Sequence, residues 1–251
     1  MAGPGFCVDG RVLAEWVMRV ATWNAQWATP TSARGRAIRG HLETVGADVV
    51  VTTEDYRSVW DRYPSVVDGG AEWGYPVIGN RRKVIAWSAA PWSDVHVVDT
   101  GAAEGRLVSA VTVGGGVAVT VVAVCIPWAA AHVSSGRRDR GRWDDHVEFC
   151  ATLGDLLGSL SGPVVVAGDF NQAIPRQRQP LRVHAVLMQA FDGFEVASAG
   201  CTEVGPLIDH VALGRGLAST GVYAWSKEID GVRLTDHAGV AVDAEWRPEE
   251  W

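Results

Sequence analysis

Val164-Val165-Val166-Ala167-Gly168-Asp169-Phe170-Asn171 passes from a run of apolar, mostly β-branched residues into a glycine and two polar turn formers. The apolar half has the composition of a strand buried on both faces, and the polar half marks its end. Upstream, Trp143, Val147, Cys150, Leu153, Leu157 and Leu160 fall on one face of a helix that Ser161-Gly162-Pro163 stops. Before that helix, Arg106 to Val113 and Val117 to Ile126 read as strands, with Gly114-Gly115-Gly116 as the hairpin turn between them. Hairpin, helix and buried strand in succession predict a mixed sheet covered by helices.

The N-terminal half repeats the theme. Arg19 to Trp23 alternates as a strand, and Ile38, Leu42 and Val45 have helical spacing, with Thr31 or Ser32 as cap and Gly46 as stop. Asp48 to Thr53 follows as a β-branched strand. Residues 55 to 80, rich in Gly, Pro and aromatics, read as an irregular connection, and Val84 to Ser88 and Val95 to Asp99 as strands. Leu181 to Phe191 reads as a helix, and strands are predicted near Leu207 to Leu213, Val222 to Trp225 and Ala238 to Trp246. Many strands, few helices and several hairpins predict an α/β fold of mixed sheets packed together under outer helices. The expected organisation is one domain over 18–251, with 1–17 as an extension or the product of an upstream start codon, to which no function is assigned.

Composition narrows the function classes. With 47% apolar and 20% charged residues among 251, and a formal charge of -7, the chain has the profile of a water-soluble globular protein. No window approaches ~20 uninterrupted apolar residues, so membrane insertion is not expected. The first residues lack a basic and then apolar leader, which makes the cytoplasm the expected compartment. Cys7, Cys125, Cys150 and Cys201 are scattered without a C-x-x-C pair, which suggests reduced thiols rather than a disulfide framework or zinc ribbon. The acidic total argues weakly against a non-specific polyanion binder, yet basic residues cluster at 34–39, at Arg81, Arg82 and Lys83, at 137–142 and at 176–182, and arginine suits bidentate phosphate contact. An Arg-rich, Lys-poor chain also fits a simple bias in base composition. P-loop, H-E-x-x-H, G-x-S-x-G and dinucleotide-binding patterns are all missing.

What remains is a set of polar residues placed just beyond apolar strands: Asn24, Glu54, Asp169 with Asn171, Asp209-His210 and Asp236-His237. Strand ends can converge, and carboxylates brought together repel unless they share a cation. Oxygen ligands without thiolates point to Mg²⁺ or Mn²⁺. Read singly, Asp169-Phe170-Asn171 is also a turn or helix cap and His237 a core histidine with a local partner. His41, His96, His132, His146 and His184 read as structural.

Thr22-Trp23-Asn24, Val51-Thr52-Thr53-Glu54, Gly168-Asp169-Phe170-Asn171, Ile208-Asp209-His210 and Thr235-Asp236-His237 occur in the order and approximate spacing of the endonuclease/exonuclease/phosphatase superfamily, which the sequence resembles over residues 19 to 245. The resemblance implies a four-layer α/β sandwich, two packed mixed β-sheets flanked by helices, and a metal-dependent hydrolase acting on phosphate esters. It implies that Glu54 is the main metal carboxylate, with Asn24 and Asp236 nearby. Asp169 would orient and deprotonate the attacking water, and Asn171 would hydrogen-bond the phosphoryl oxygens. Asp209 would fix the tautomer of His237, which would donate to a non-bridging oxygen. The allocation makes chemical sense, because ester hydrolysis needs an aligned nucleophile, a Lewis acid and donors aimed at developing charge.

Two positions depart from the family pattern. Thr53 replaces the Gln that usually precedes the metal Glu, and Cys125 stands where relatives place a Tyr or His that contacts the phosphate. A thiol is a poor donor, so that duty would pass to Trp128, His132 or an arginine of 137–142, or the member would be slower or take another substrate. The leading expectation is a nuclease acting on DNA or RNA. A phosphatase or phosphodiesterase for a small-molecule or lipid phosphate is the alternative, followed by a catalytically weakened binding module. The sequence carries nothing on oligomeric state.

Overall fold

The computed structural model describes residues 7–8, 11–12, 17–200 and 203–247. The expectation for 1–17 falls almost wholly outside these residues, as do the thiols of Cys7 and Cys201. Within that stretch β1 (Cys7–Val8) and β2 (Arg11–Val12) pair antiparallel. β3 (Val17–Asn24), α1 (Ala33–Val45) and β4 (Val49–Tyr56) then form a strand, helix, strand unit in which β3 and β4 are parallel. Ser32 caps α1 by accepting from the backbone N–H of Gly35, and Gly46 closes it in the left-handed conformation.

β5 (Ser65–Asp68), β6 (Arg81–Ser88), β7 (Ser93–Val97), β8 (Leu107–Gly114) and β9 (Val117–Cys125) follow, and Gly115 and Gly116 turn β8 into β9 with positive φ. α2 (Asp144–Ser159) leads to β10 (Val164–Asp169), which runs parallel to β9. α3 (Leu181–Ala190), β11 (Glu195–Val196), β12 (Asp209–Leu213), β13 (Leu217–Trp225), the short pair β14 (Glu228–Ile229) and β15 (Val232–Arg233), and β16 (Gly239–Trp246) complete the chain.

The strands form two six-stranded mixed sheets, in the orders β13-β16-β3-β4-β6-β5 and β11-β12-β10-β9-β8-β7. Alternation along each strand sorts side chains into three apolar layers. Val20, Val49, Val51, Val121, Ala123, Val165, Ala167, Val211 and Val242 meet between the sheets. Ala21, Trp23, Val50, Ile85 and Trp87 face α1, whereas Val122, Val124, Val166 and Ala212 face α2 and α3 through Phe149, Leu153 and Leu187. The expected four-layer α/β sandwich is thus borne out.

Several boundaries differ from expectation for local reasons. The connection 55–80 contains β5, an edge strand of half-buried residues without clear alternation. α2 starts at Asp144, because Trp143 takes a left-handed conformation (φ 73°) and packs its ring edge-on to His146. β13 begins at Leu217 rather than Val222, its outer face being partly exposed and so weakly patterned.

Gly168 shows how tightly the end of β10 is held. Its φ is +145°, and a Cβ built there would lie 1.8 Å from the carbonyl oxygen of Val124 on the neighbouring strand. Gly168→Ala must move backbone rather than a flexible side chain. It is expected to destabilise the protein by about 2–4 kcal/mol, read as a lower urea midpoint with unchanged slope.

Candidate active site

The residues between the sheets alternate inward along each strand, and the polar candidates are the last members of those inward rows. Val165 and Ala167 lead to Asp169; Leu213 and Val211 lead back to Asp209; Met18 and Val20 lead through Thr22 to Asn24. β10 and β12 pair with Asp169 opposite Asp209, and β3 and β4 pair with Asn24 opposite Thr53. Glu54 follows at φ 50°, and its carbonyl accepts from the N–H of Trp27. The loop before β16 carries Asp236 and His237, tied down by Thr235, whose hydroxyl donates to the Asn24 carbonyl at 2.8 Å, and by the Trp23 indole, which donates to the His237 carbonyl at 2.9 Å. Positions more than two hundred residues apart thus share one rim.

Asp169 is the hub. Its Oδ1 accepts from the Asn171 backbone N–H at 2.8 Å, and its Oδ2 accepts from the side-chain amides of Asn171 at 3.0 Å and Asn24 at 3.2 Å. Burial pushes this carboxyl up to about 7, with the charges of Asp209 and Glu54 acting the same way against the pull of His237. His237 Nδ1 donates to Asp209 Oδ2 at 2.9 Å, and its Nε2 lies 3.7 Å from Asp236 Oδ1. Burial disfavours the imidazolium, but Asp209 and then Asp169 outweigh it and raise His237 to about 10. Burial likewise raises Asp209 against the attraction of His237.

The donor set fits a hard divalent cation. Carboxylate oxygens of Asp169 and Asp209 and a ring nitrogen of His237 lie within 4.8 Å of one another, the one such group among the described residues, and with His237 charged the carboxylates are its cation-binding atoms. Asp209 Oδ1 is buried with no hydrogen-bond partner among the protein atoms, and Glu54 Oε1 is held by an ammonium, that of Lys83, at 2.6 Å. Carboxylate oxygens of this kind suit Mg²⁺ or Mn²⁺.

Asn24, Glu54, Asp169, Asn171, Asp209, Asp236 and His237 therefore all sit on one rim, but some occupations differ from those the resemblance implied. The Asn171 amide donates to both Asp169 and the Ile126 carbonyl, so in this structure it fixes the carboxylate rather than reaching outward. Cys125 ends the inward row of β9 beside the hub, and burial pushes its thiol up to about 12, leaving a neutral group. His132 is not available as a replacement donor, because it is buried against Asp145 and the Trp73 carbonyl. Arg137 and Arg140 pair with Asp145, and Arg57 and Arg82 pair with Asp68. Of the suggested donors, Trp128 stays half exposed, at 50%, and Arg138 and Arg142 are exposed.

Sequence reasoning placed Lys83 only in a basic cluster, without its pairing to Glu54, and missed Gln172. Lys83 is the third residue of β6 and stands directly before Val84-Ile85-Ala86-Trp87, and a charge at the head of an apolar run in a chain with two lysines was a usable signal. Gln172 had none: it gains meaning only by lying between His146, His184 and Val183.

The fold, the convergent rim and its oxygen donors define a metal-dependent hydrolase of phosphate esters. The chain belongs to the endonuclease/exonuclease/phosphatase family, whose profile matches residues 21–237. It is similar to the endonuclease/exonuclease/phosphatase from Beutenbergia cavernae DSM 12333, with TM-score 0.68 and 20% identity over 92% of this chain and 72% of that one. D. rerio TDP2 complexed with a single-strand DNA product gives TM-score 0.64 and 13% identity over 91% of this chain and 98% of that one. An AP endonuclease from Archaeoglobus fulgidus gives 0.63 and 16% over 90% and 98%. Among curated proteins the sequence finds no match.

Proposed function

We propose that the protein is a nuclease that hydrolyses phosphodiester bonds of DNA or RNA with an activated water. The carrying observation is the double constellation on the rim: Asp169 held by Asn24 and both donors of Asn171, and His237 held by Asp209. A carboxyl near pKa 7 is suited to take a proton from water at neutral pH. The His237 imidazolium, oriented through Nδ1 by Asp209, has Nε2 left to donate to a phosphoryl oxygen as charge accumulates there. Glu54, with Asn24 and Asp236 close by, would hold Mg²⁺ or Mn²⁺, which supplies Lewis-acid neutralisation of the phosphate when bound.

Two points support a nucleic acid over a small phosphate. Trp128 stands half exposed two residues beyond Ile126, whose carbonyl holds Asn171, and an exposed indole beside a phosphate site suits base stacking. Two of the similar structures bear on nucleic acid by name, one an AP endonuclease and one holding a DNA product. Buried, unpaired Cys125 and Cys150 fit a reducing cytoplasm. Among the described residues no helix is long and apolar enough to cross a membrane.

Incubation with Mg²⁺ or Mn²⁺ against plasmid, single-stranded DNA, RNA, abasic duplex and phosphomonoesters tests the reading. Cleavage of a nucleic acid that chelator abolishes, and that Glu54→Gln lowers by about 10²-fold or more, is expected. Turnover confined to small or lipid phosphates would replace the substrate class. Turnover that persists in chelator would remove the metal, and intact nucleic-acid binding without any turnover would favour the binding module.

A further inference from the structure

Lys83 is a buried cation that the chemistry above does not use. Its register on β6 sets it across from Glu54, between the pairs Thr53 with Val84 and Asp55 with Arg82. Only 11% of its side chain is exposed, and burying an ammonium is costly unless it is paired. Nζ meets Glu54 Oε1 at 2.6 Å and lies 5.3 Å from the centre of the Trp27 ring. Trp27 is placed by a left-handed backbone (φ 56°) and by its N–H donating to the Glu54 carbonyl, and Arg81 lies 4.9 Å from the same ring. Lys83 is also near enough to Cys125 for its charge to act on that thiol. The position is therefore enclosed, with Glu54 and the Trp27 indole against the ammonium.

An ammonium hydrogen-bonded to Glu54 Oε1 competes with a divalent ion for that carboxylate, and the two cations repel each other. The charges of the rim point the same way: the carboxylates of Glu54, Asp169, Asp209 and Asp236 face the cations of Lys83 and His237, so a divalent ion completes the balance. We propose that Lys83 has two stations. In the metal-free protein it is the counter-ion of Glu54; once a divalent cation takes that carboxylate, the released ammonium, confined by Trp27, binds the substrate's phosphate in place of the donor that Cys125 does not supply. This rests on the metal-dependent reading of the rim.

The test measures binding rather than turnover. Mn²⁺ affinity, read from the electron paramagnetic resonance signal of the free ion, is compared in wild type, Lys83→Met, Lys83→Gln and Lys83→Arg, and inorganic phosphate is then titrated calorimetrically into each Mn²⁺-saturated protein. Removing the charge, with either Met or Gln, is expected to tighten Mn²⁺ about tenfold or more and to weaken phosphate by about tenfold. Metal-free melting should fall in these variants and recover with Mn²⁺, while Lys83→Arg keeps the wild-type pattern on both axes. Unchanged Mn²⁺ affinity in both neutral variants overturns the counter-ion station, and unchanged phosphate affinity overturns the second. Either result leaves the metal reading intact, whereas a wild type that binds no Mn²⁺ overturns that reading and this proposal together.

Discussion

Asp169→Asn in the Mg²⁺- or Mn²⁺-loaded protein is expected to lower kcat for a phosphodiester by about 10³–10⁴-fold while the fold survives. Asp169 Oδ2 accepts two side-chain amides and Oδ1 one backbone N–H, so an asparagine can keep its oxygen toward Asn24 and Asn171 and lose one contact to the Asn171 N–H. That mismatch costs about 1–3 kcal/mol, offset in part because a carboxylate facing Asp209 has been removed. The melting temperature should therefore shift by only a few degrees (about 4 °C or less per kcal/mol in a domain of this size), while the amide, with no affinity for a water proton, abolishes the base. Quantified product release with a circular-dichroism melt on the same samples reads both. A fall in kcat of less than tenfold in a folded variant would take the base away from Asp169.

Asp209→Asn provides the contrast. Here the group lost is the partner of His237 Nδ1, and the imidazole loses the largest attraction that keeps it charged. The base would remain and the outward donor would weaken, so the two variants should differ in how turnover depends on pH rather than only in size.

Why the rim was legible and its surroundings were not follows from the range of the interactions. Asp169, Asp209 and Asn24 lie at the ends of the apolar-rich strands Val164 to Ala167, Val211 to Leu213 and Val20 to Trp23, which the sequence displays directly, and the packing of two sheets brings those ends together. Lys83 has a role only because β6 runs antiparallel to β4, a pairing that alternation does not specify. The arginine clusters were suggestive as runs, yet Arg57 and Arg82 converge on Asp68, and Arg137 and Arg140 on Asp145. Local composition cannot distinguish a phosphate contact from a distant internal carboxylate. Trp143 continues the apolar stripe of α2 while its backbone has already left the helix, since the stripe records burial and not φ.

The layer beneath the rim carries the second large effect, a dependence of stability on acid. His146 and His210 flank Gln172, one residue past Asn171. His146 Nδ1 donates to the Pro127 carbonyl at 2.8 Å, and its Nε2 accepts from the Gln172 amide at 2.7 Å. His210 Nε2 donates to the Gln172 carbonyl at 3.2 Å, and its Nδ1 accepts from the Ser198 hydroxyl at 2.9 Å. Each ring therefore needs one unprotonated nitrogen, and burial pushes both down to about 4, against the carbonyls that favour the charged form. A histidine whose folded pKa lies below its unfolded value near 6.5 stabilises the fold fully above 6.5, and that contribution is lost as pH falls toward 4. The shift corresponds to about 3 kcal/mol for each ring.

Asp169 acts in the opposite direction. Its folded pKa near 7 exceeds the unfolded value, so protonation of that carboxyl restores stability over the same interval. The acid limb of the wild-type curve is thus a difference between opposing groups, and the clean observable is a comparison. His146→Asn and His210→Asn keep an amide that can donate or accept in place of Nδ1 but cannot titrate. Both should cost stability at pH 7.5, and between pH 7.5 and 4.5 the advantage of wild type over each should shrink by about 3 kcal/mol, read from urea unfolding at each pH. If the wild-type and variant curves instead run parallel through that interval, the two rings titrate in the folded protein as they do in the unfolded chain, and the Gln172 network does not hold the loop carrying Asp169 and Asn171 in the way its distances indicate.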